Sequence, residues 1–401
     1  MPLVIVHALE DLPDPCSASI FLAGPTPRDE TPSWRPEAIA ILKRLGFDGA
    51  VIVPEDRDGT WRHSYDHQVT WERAMRGRAD LIVFWIPRNM TTMPALTTNV
   101  EFGADLPLAR VLYGRPDDAP RNRYLDAVWT EETKRPPHSS METLLAEATK
   151  LLGDGLPRNG TDRDIPLRLA ATPSFAKWKA SIEATGNVLL GLDVLSIVPE
   201  GSRHPASEIF AWSVLPRILI SDERRIKDNE VVFGRTDSVA IVPILIEDDS
   251  ASVFLVREFR SAVRNSIGAV VETCGGSDPD RNKPQILVAL DELREEMGLD
   301  VARERLVPIG TRQPTATFAA HEITAFALRL SADEGKSLRR AIAEGKRFGL
   351  DAEEKSGGES LTLIEASIDE LSDVPMDWTA RGIIAEAIER FIRTEEEKTA
   401  K

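Results

Sequence analysis

The chain has only two cysteines in 401 residues, Cys16 and Cys274, far apart and without CxxC or Cys/His spacing. That excludes a disulfide scaffold and gives a zinc site no support. Its six histidines are scattered and add no metal cluster. No apolar run approaches the roughly 18 residues that a membrane-spanning helix needs. There is no basic surplus either: 65 acidic against 49 basic residues give a formal charge of −16. This disfavours non-specific binding to nucleic acid backbones, and a small anionic ligand needs local cations or a metal. The start, Met1 to His7, lacks a basic stretch followed by a long apolar core, so no signal peptide is read and a cytoplasmic protein is expected. Internal repeats and long low-complexity segments are absent as well.

What is present is enough for two hydrophobic cores. With 42% hydrophobic and 28% charged residues, a chain of this length fits two domains and a connector. From Ser17 to about Gly153, strand-like and helix-like stretches alternate. The apolar run Ile20 to Gly24 ends in a Gly24-Pro25 turn, a helix runs from Pro36 to Leu45, and Ala50 to Pro54 is a second strand. A helix from Val69 to Arg78 leads to a buried strand, Asp80 to Ile86, and Arg110 to Tyr113 follows another short helix. Such alternation argues for a parallel sheet covered on both faces.

Ligands bind sheets of this kind at the carboxyl ends of strands, which puts Gly24-Pro25 and the segment after Ile86 in one crevice. Thr97-Thr-Asn-Val-Glu101-Phe-Gly103 falls there, on the turn entering a helix. Its carboxylate either faces a ligand or serves the helix dipole from the first turn. The loop Thr26 to Arg35, with Arg28, Ser33, Trp34 and Arg35, either holds sugar or phosphate or simply charges the surface.

Between Gly153 and Ala206 the composition turns linker-like, with Gly155-Leu-Pro-Arg-Asn-Gly160 rich in turn formers. Thr172-Pro173-Ser174 then opens a helix whose apolar edge is Phe175, Trp178 and Ile182, and which is expected to dock rather than swing freely.

Further on, Glu292, Glu295 and Glu296 have the i, i+3, i+4 spacing that gathers carboxylates on one side of a helical turn. Ile286, Leu290, Leu293 and Met297 supply an apolar stripe opposite them. Pro284 and Gly298 punctuate the helix at its ends, and a strand-like run with Gly275-Gly276 precedes it. Hard cations such as Mg²⁺ or Mn²⁺ take oxygen ligands and bridge to phosphate oxygens, so this order points to a pyrophosphate substrate. The plainer alternative is a solvated acidic face.

Two family resemblances rest on these residues. Phe21-Leu-Ala-Gly-Pro25, the strand Ala79 to Trp85 and Thr98-Asn-Val-Glu-Phe-Gly103 together resemble the nucleoside 2-deoxyribosyltransferase family, which includes base-exchanging transferases and nucleotide N-glycosidases. This resemblance implies a flavodoxin- or Rossmann-like parallel sheet domain with Glu101 as the nucleophile on the sugar C1′. It implies a substrate site drawing on Gly24, Pro25, Arg28, Trp34, Arg88 and Asn99. Thr97, Asn99 and Pro87 depart from the family pattern, so Trp85, Arg88 and Asn89 become candidates for base recognition and Glu72 a candidate proton donor.

Glu292, Leu293, Glu295, Glu296, Gly298 and Leu299 resemble the tail of the Nudix box. Together with Val239 to Leu245, Val253 to Arg260 and Met376 to Arg381 they look like the ADP-ribose pyrophosphatase branch. That resemblance implies an α+β Nudix fold and Mg²⁺ or Mn²⁺ held by Glu292, Glu295 and Glu296. It also implies acid/base work by Glu292, a further catalytic acid at Glu322 in the stretch Gln313 to Glu322, and substrate binding by Arg260. In this box the family arginine is Asp291, and the first family glutamate falls near Asn282 or Lys283.

The expected organisation is thus an α/β protein. It has a deoxyribosyltransferase-like domain at 1–153, a linker with a docking helix at 154–204, a Nudix-like domain at 205–395 and a short tail at 396–401. The leading functional expectation is a bifunctional enzyme that cleaves or exchanges an N-glycosidic bond and hydrolyses a nucleoside diphosphate-linked substrate such as ADP-ribose. The alternative keeps the glycosidase and makes the second domain a nucleotide sensor; a third makes both domains scaffolds. Expected partners are small nucleosides or nucleotides and a second copy of the chain, with no nucleic acid polymer or membrane.

Overall fold

Short apolar runs alternating with helices build the first sheet: β1 (Val4–Val6), β2 (Ser19–Ala23), α1 (Arg35–Arg44), β3 (Ala50–Ile52), α2 (Tyr65–Arg78), β4 (Leu81–Trp85), α3 (Leu96–Asp105) and β5 (Val111–Gly114). The computed structural model describes residues 3–27, 31–57, 64–247, 250–278, 283–349 and 360–399, with side chains described as far as residue 391. The five strands pair in parallel in the order β1-β3-β2-β4-β5. β2 and β4 are buried along their whole length, as strands covered on both faces must be. From β2 the chain passes by α1 to β3 on one side, then by α2 to β4 on the other. The two connections leave in opposite directions, so a crevice opens over the carboxyl ends of β2 and β4.

At the opposite ends of these strands lies a buried carboxylate. Asp80, 2% exposed, accepts from the Ser19 backbone and hydroxyl at 2.7 and 3.0 Å, from Arg158 Nη1 and Nη2 at 2.8 and 2.6 Å, and from the Leu167 backbone at 2.6 Å. It therefore joins the starts of β2 and β4 to the segment that follows α4 (Arg123–Thr133) and α5 (Met141–Leu152). The connector is pinned here. Beyond it come α6 (Leu167–Ala170), α7 (Pro173–Ala184), β6 (Val188–Pro199), β7 (Ile209–Ile220), β8 (Arg225–Lys227) and β9 (Val232–Arg235).

The sequence reading divides residues 154–235 between a linker and a second domain, whereas the structure places Met1–Arg235 in one unit and Thr236–Lys401 in another. The physical reason is the long antiparallel pairing of β6 with β7, from Val188↔Leu219 to Pro199↔Ile209, closed by β9 on β7. Trp212 of β7 packs edge-on against Phe175 of α7 at 5.2 Å, and its Nε1 donates to Ser174 Oγ at 3.0 Å. The docking helix thus finds its partner in a sheet that lies beyond the expected linker's own first turns.

The second unit contains β10 (Ser238–Glu247), β11 (Ser250–Phe259), β12 (Ala269–Glu272), α8 (Gln285–Met297), β13 (Leu306–Arg312), β14 (Ile323–Arg329), α9 (Ala332–Ala343), β15 (Arg347–Phe348), β16 (Leu361–Ser367) and α10 (Trp378–Thr399). Its mixed sheet runs β13-β14-β10-β11-β16-β15, with β12 also on β11 and β10 parallel to β14. Alternate residues of each strand face opposite sides. Val239, Ile241 and Phe254 meet Ala289 and Leu293 of α8, while Val242, Ile244 and Leu255 meet Ile384 and Ala387 of α10. The unit is an α/β sandwich. Among the described residues no helix is long and apolar enough to cross a membrane.

Removing the Asp80 carboxylate leaves Arg158, itself 4% exposed, as an uncompensated buried charge. Asp80→Ala should destabilise the first unit by about 3–5 kcal/mol, read as a fall in the urea midpoint of its unfolding transition. An unchanged midpoint would show that the cluster does not hold the fold.

Candidate active site

Helix α2 starts where the Ser64 hydroxyl accepts from the His67 backbone, and one of its faces is a polar stripe. Gln68, Glu72 and Arg76 follow at i, i+4 and i+8, so they lie on one side of the helix. Its last turn is held by Arg110, whose Nη1 donates to the carbonyls of Gly77 and Ala79 at 2.9 and 2.7 Å. The stripe faces a cavity of about 740 Å³ over the ends of β2 and β4, also lined by Gly24, Pro25, Arg35, Thr97, Thr98 and Glu101.

Glu101 stands in the second turn of α3, 22% exposed, and Arg76 Nη1 donates to its Oε1 at 3.0 Å. On its other side Arg76 makes a 2.8 Å ion pair from Nε to Asp105 Oδ2. One guanidinium therefore serves two carboxylates four residues apart on α3. Burial pushes the Glu101 carboxyl up to about 7 against the pull of Arg76, and the nearby charges of Glu72 and Asp105 push the same way. Burial also raises Asp105, opposed by Arg76 and Arg110. A carboxylate with a pKa near neutrality in a cleft is suited to nucleophilic or proton-transfer chemistry.

The floor of the cleft is made rigid by a second buried arginine. Arg35, 1% exposed, donates to the Leu22 and Gly24 carbonyls at 3.1 and 2.8 Å and to the Thr26 hydroxyl at 3.3 Å, and it pairs with Glu55. Trp34 Nε1 donates to the Pro25 carbonyl at 3.1 Å. Of the loop residues expected to hold substrate, Arg35 lines the cavity with its guanidinium committed to this turn, and Trp34 braces the turn from behind. Ser33 donates to Glu55 at 2.9 Å, and Arg28 lies outside the described residues.

Gly24 and Pro25 line the cavity as expected; Arg88 and Asn99 do not. Arg88 Nη2 donates to Asn99 Oδ1 at 2.6 Å, so these two polar groups satisfy each other away from the cavity wall. Trp85 is 6% exposed within the core, and Asn89 accepts from the backbones of Thr91 and Thr92 in its own turn. Sequence reasoning missed Arg76, Asp105 and Gln68. The signal available was spacing: Arg76 is i+4 from Glu72, and Asp105 is i+4 from Glu101.

In the second unit the acidic helix presents its faces differently from the reading. Val288, Ala289, Leu293, Glu296 and Met297 are its buried positions, so Glu296 shares the core-facing side and Glu295 is exposed. Glu296 accepts from the Gly275 backbone at 2.9 Å, and burial, reinforced by Glu296 beside it, pushes the Cys274 thiol well above its ordinary pKa. Glu292 lies so close to the glycine loop that a Cβ at Gly276 would be 2.4 Å from its Oε1. The backbone of Glu322 donates to Asp237 at 3.0 Å. Among the described residues no three His, Cys, Asp or Glu groups are arranged to hold a metal ion. Asp291, in the place of the box arginine, pairs with Lys283 at 2.5 Å and Arg294 at 3.0 Å; Asn282 lies outside the described residues. Arg260 pairs with Glu258 and Glu272 at 2.9 and 3.0 Å.

A family model described as nucleoside 2-deoxyribosyltransferase like matches residues 17–116. The match spans β2 to β5 and includes Gly24, Arg76 and Glu101, so this segment is a nucleoside 2-deoxyribosyltransferase-like domain. No curated protein matches the chain.

Gly24 has φ 149°, and a Cβ there would sit 2.2 Å from the Trp85 carbonyl oxygen and 2.8 Å from Trp34 Cζ2. Gly24→Ala should therefore cost about 2–4 kcal/mol of stability and distort the cleft floor. Thermal unfolding checks this, and a variant as stable as the parent would show that the turn tolerates a side chain.

Proposed function

We propose that the first unit cleaves or exchanges the N-glycosidic bond of a nucleoside or nucleotide through Glu101. The observation that carries this reading is the Glu101 carboxylate, held by Arg76 inside the switch-point cavity of the matched segment. One Glu101 oxygen forms a bond to the sugar C1′ while the C1′–N bond breaks and its electron pair leaves with the base. Glu72, in the same cavity, delivers a proton to the departing nitrogen. It then takes one from water, or from an incoming base, as that acceptor attacks C1′ and releases the Glu101 carboxylate. Arg76 holds the attacking oxygens in place, and Asp105 balances its charge once Glu101 has become a neutral ester.

For the second unit we propose nucleotide binding without Mg²⁺-dependent hydrolysis. The inward bond of Glu296 to Gly275 and the pairing of Asp291 with Lys283 support that choice over pyrophosphate cleavage. Incubation with ADP-ribose and Mg²⁺ should yield no AMP. Turnover by the parent that Glu296→Gln abolishes would overturn this half of the reading.

Glu101→Gln should slow base release by about a thousandfold or more. Because Glu101 attacks as the carboxylate, the rising limb of kcat/KM against pH should lie at about 7. Arg76→Gln should move that limb to higher pH and Asp105→Asn to lower pH. Base release at the normal rate by Glu101→Gln would remove the assignment.

A further inference from the structure

The second unit holds a cavity that α8 does not line. It has a volume of about 210 Å³ and lies where the start of α10 meets β13 and β14, with Gly310, Arg312, Trp378, Gly382 and Glu386 in its wall. Ile309 and Ala325, also in the wall, belong to the face of the sheet that packs on α10, whereas Ala289 and Leu293 of α8 cover the other face. The cavity is therefore on the far side of the sheet from the acidic helix.

Trp378, Gly382 and Glu386 follow at i, i+4 and i+8, so α10 presents them to the cavity in one row ~12 Å long. The middle of that row is bare. After proline, glycine is the least favourable residue inside a helix, yet nothing stands within 4 Å of the place a Cβ at Gly382 would take, so close packing does not require it there. Gly310, facing the same space from β13, has equally free surroundings. What the two glycines leave is room. At one end of the row the Trp378 side chain is 86% exposed. At the other, Glu386 accepts from Arg312 Nη2 at 2.9 Å in a pair that both partners leave open to solvent. Such a pair contributes little to stability and can exchange its partners for those of a ligand.

We infer that this cavity binds the purine base of a nucleotide, stacked on Trp378 over Gly382, with its polar edge against Arg312 and Glu386. This rests on the reading of the second unit as a nucleotide binder, and it gives that ligand a place apart from the acidic helix. A base offers a π-face to the indole and an edge on which an acceptor stands beside an N–H donor. The guanidinium donates to the first and the carboxylate accepts from the second. The volume is below the ~300–1,000 Å³ of a cleft that encloses a whole drug-sized ligand, so the base is held while sugar and phosphate stay outside. From Gly382 to Glu386 is ~6 Å along the axis, a distance that two fused rings cover and one ring does not.

The test uses the full-length Glu101→Gln chain, so that the first unit does not consume the ligand, labelled with 5-fluorotryptophan and observed by fluorine NMR. The Trp378 signal is the one missing from a Trp378→Phe sample. Adenosine and guanosine 5′-monophosphate should move it saturably, with cytidine 5′-monophosphate at least about tenfold weaker. Gly382→Leu fills the cavity: the urea midpoint should be unchanged or higher, while nucleotides no longer move the Trp378 signal. Glu386→Ala, at the open end of the row, should weaken purine binding about tenfold. A Trp378 signal that no purine nucleotide moves, equal affinity for the pyrimidine, or a response that survives both Gly382→Leu and Glu386→Ala would each overturn the inference. Calorimetry on the same chain separates the two failures. A second binding event that persists in Gly382→Leu keeps nucleotide binding by the second unit and removes this location, whereas a single event, at the first unit only, removes that reading as well.

Discussion

Burying arginine is the constraint around which the first unit is organised. Arg35, Arg76, Arg88, Arg110 and Arg158 are all less than 9% exposed, and a guanidinium cannot shed its proton to escape the cost of leaving water. Each must be supplied with oxygens, and the supply dictates local structure. Arg110 takes the last carbonyls of α2, Arg35 the carbonyls that end β2, and Arg158 the carboxylate at the start of β4. The ends of the strands are thereby fixed at both edges of the sheet, and the crevice between them keeps its shape without relying on the loops above.

Arg76 turns the same constraint toward chemistry. Held between Glu101 and Asp105, it lowers the cost of keeping an ionised carboxylate in a confined space but does not cancel it, so Glu101 sits close to neutrality. Three acids and one arginine share this corner, and the balance among them decides how much of the Glu101 carboxyl is ionised at a given pH. The balance is adjustable because Asp105 lies behind the cleft wall and has no place in the cavity lining.

The parts legible in the sequence were those with a strong period or an uninterrupted apolar run. β2 and β4, the helix at Phe175 and the location of Glu101 beside Gly24-Pro25 follow from such patterns, because strand burial and helix amphipathicity act over a few adjacent residues. The less legible parts depend on partners distant in sequence. Nothing local in Gly155 to Gly160 announces that Arg158 reaches Asp80, and nothing in residues 188–220 separates a long hairpin of the first unit from an opening strand of the second. The acidic helix shows a third kind of difficulty. Spacing groups Glu292, Glu295 and Glu296, but adjacent residues on a helix are about 100° apart, so Glu295 is exposed while Glu296 turns to the core. Asp291, in the place of the box arginine, pairs with Lys283, one of the two positions near which the first box glutamate falls, and that contact is legible only in space.

The ion pair between Asp80 and Arg158 also bears on how the chain can be taken apart. The stretch that matches the family ends at residue 116, whereas the cation that neutralises its innermost acid comes from position 158. Cut at the margin of the match, the fragment would carry an ionised group sealed in its interior with no counter-ion. The family-like portion is therefore not a detachable module: its smallest self-sufficient form includes the residues up to Leu167, and any transplant into another protein must bring that later strap along.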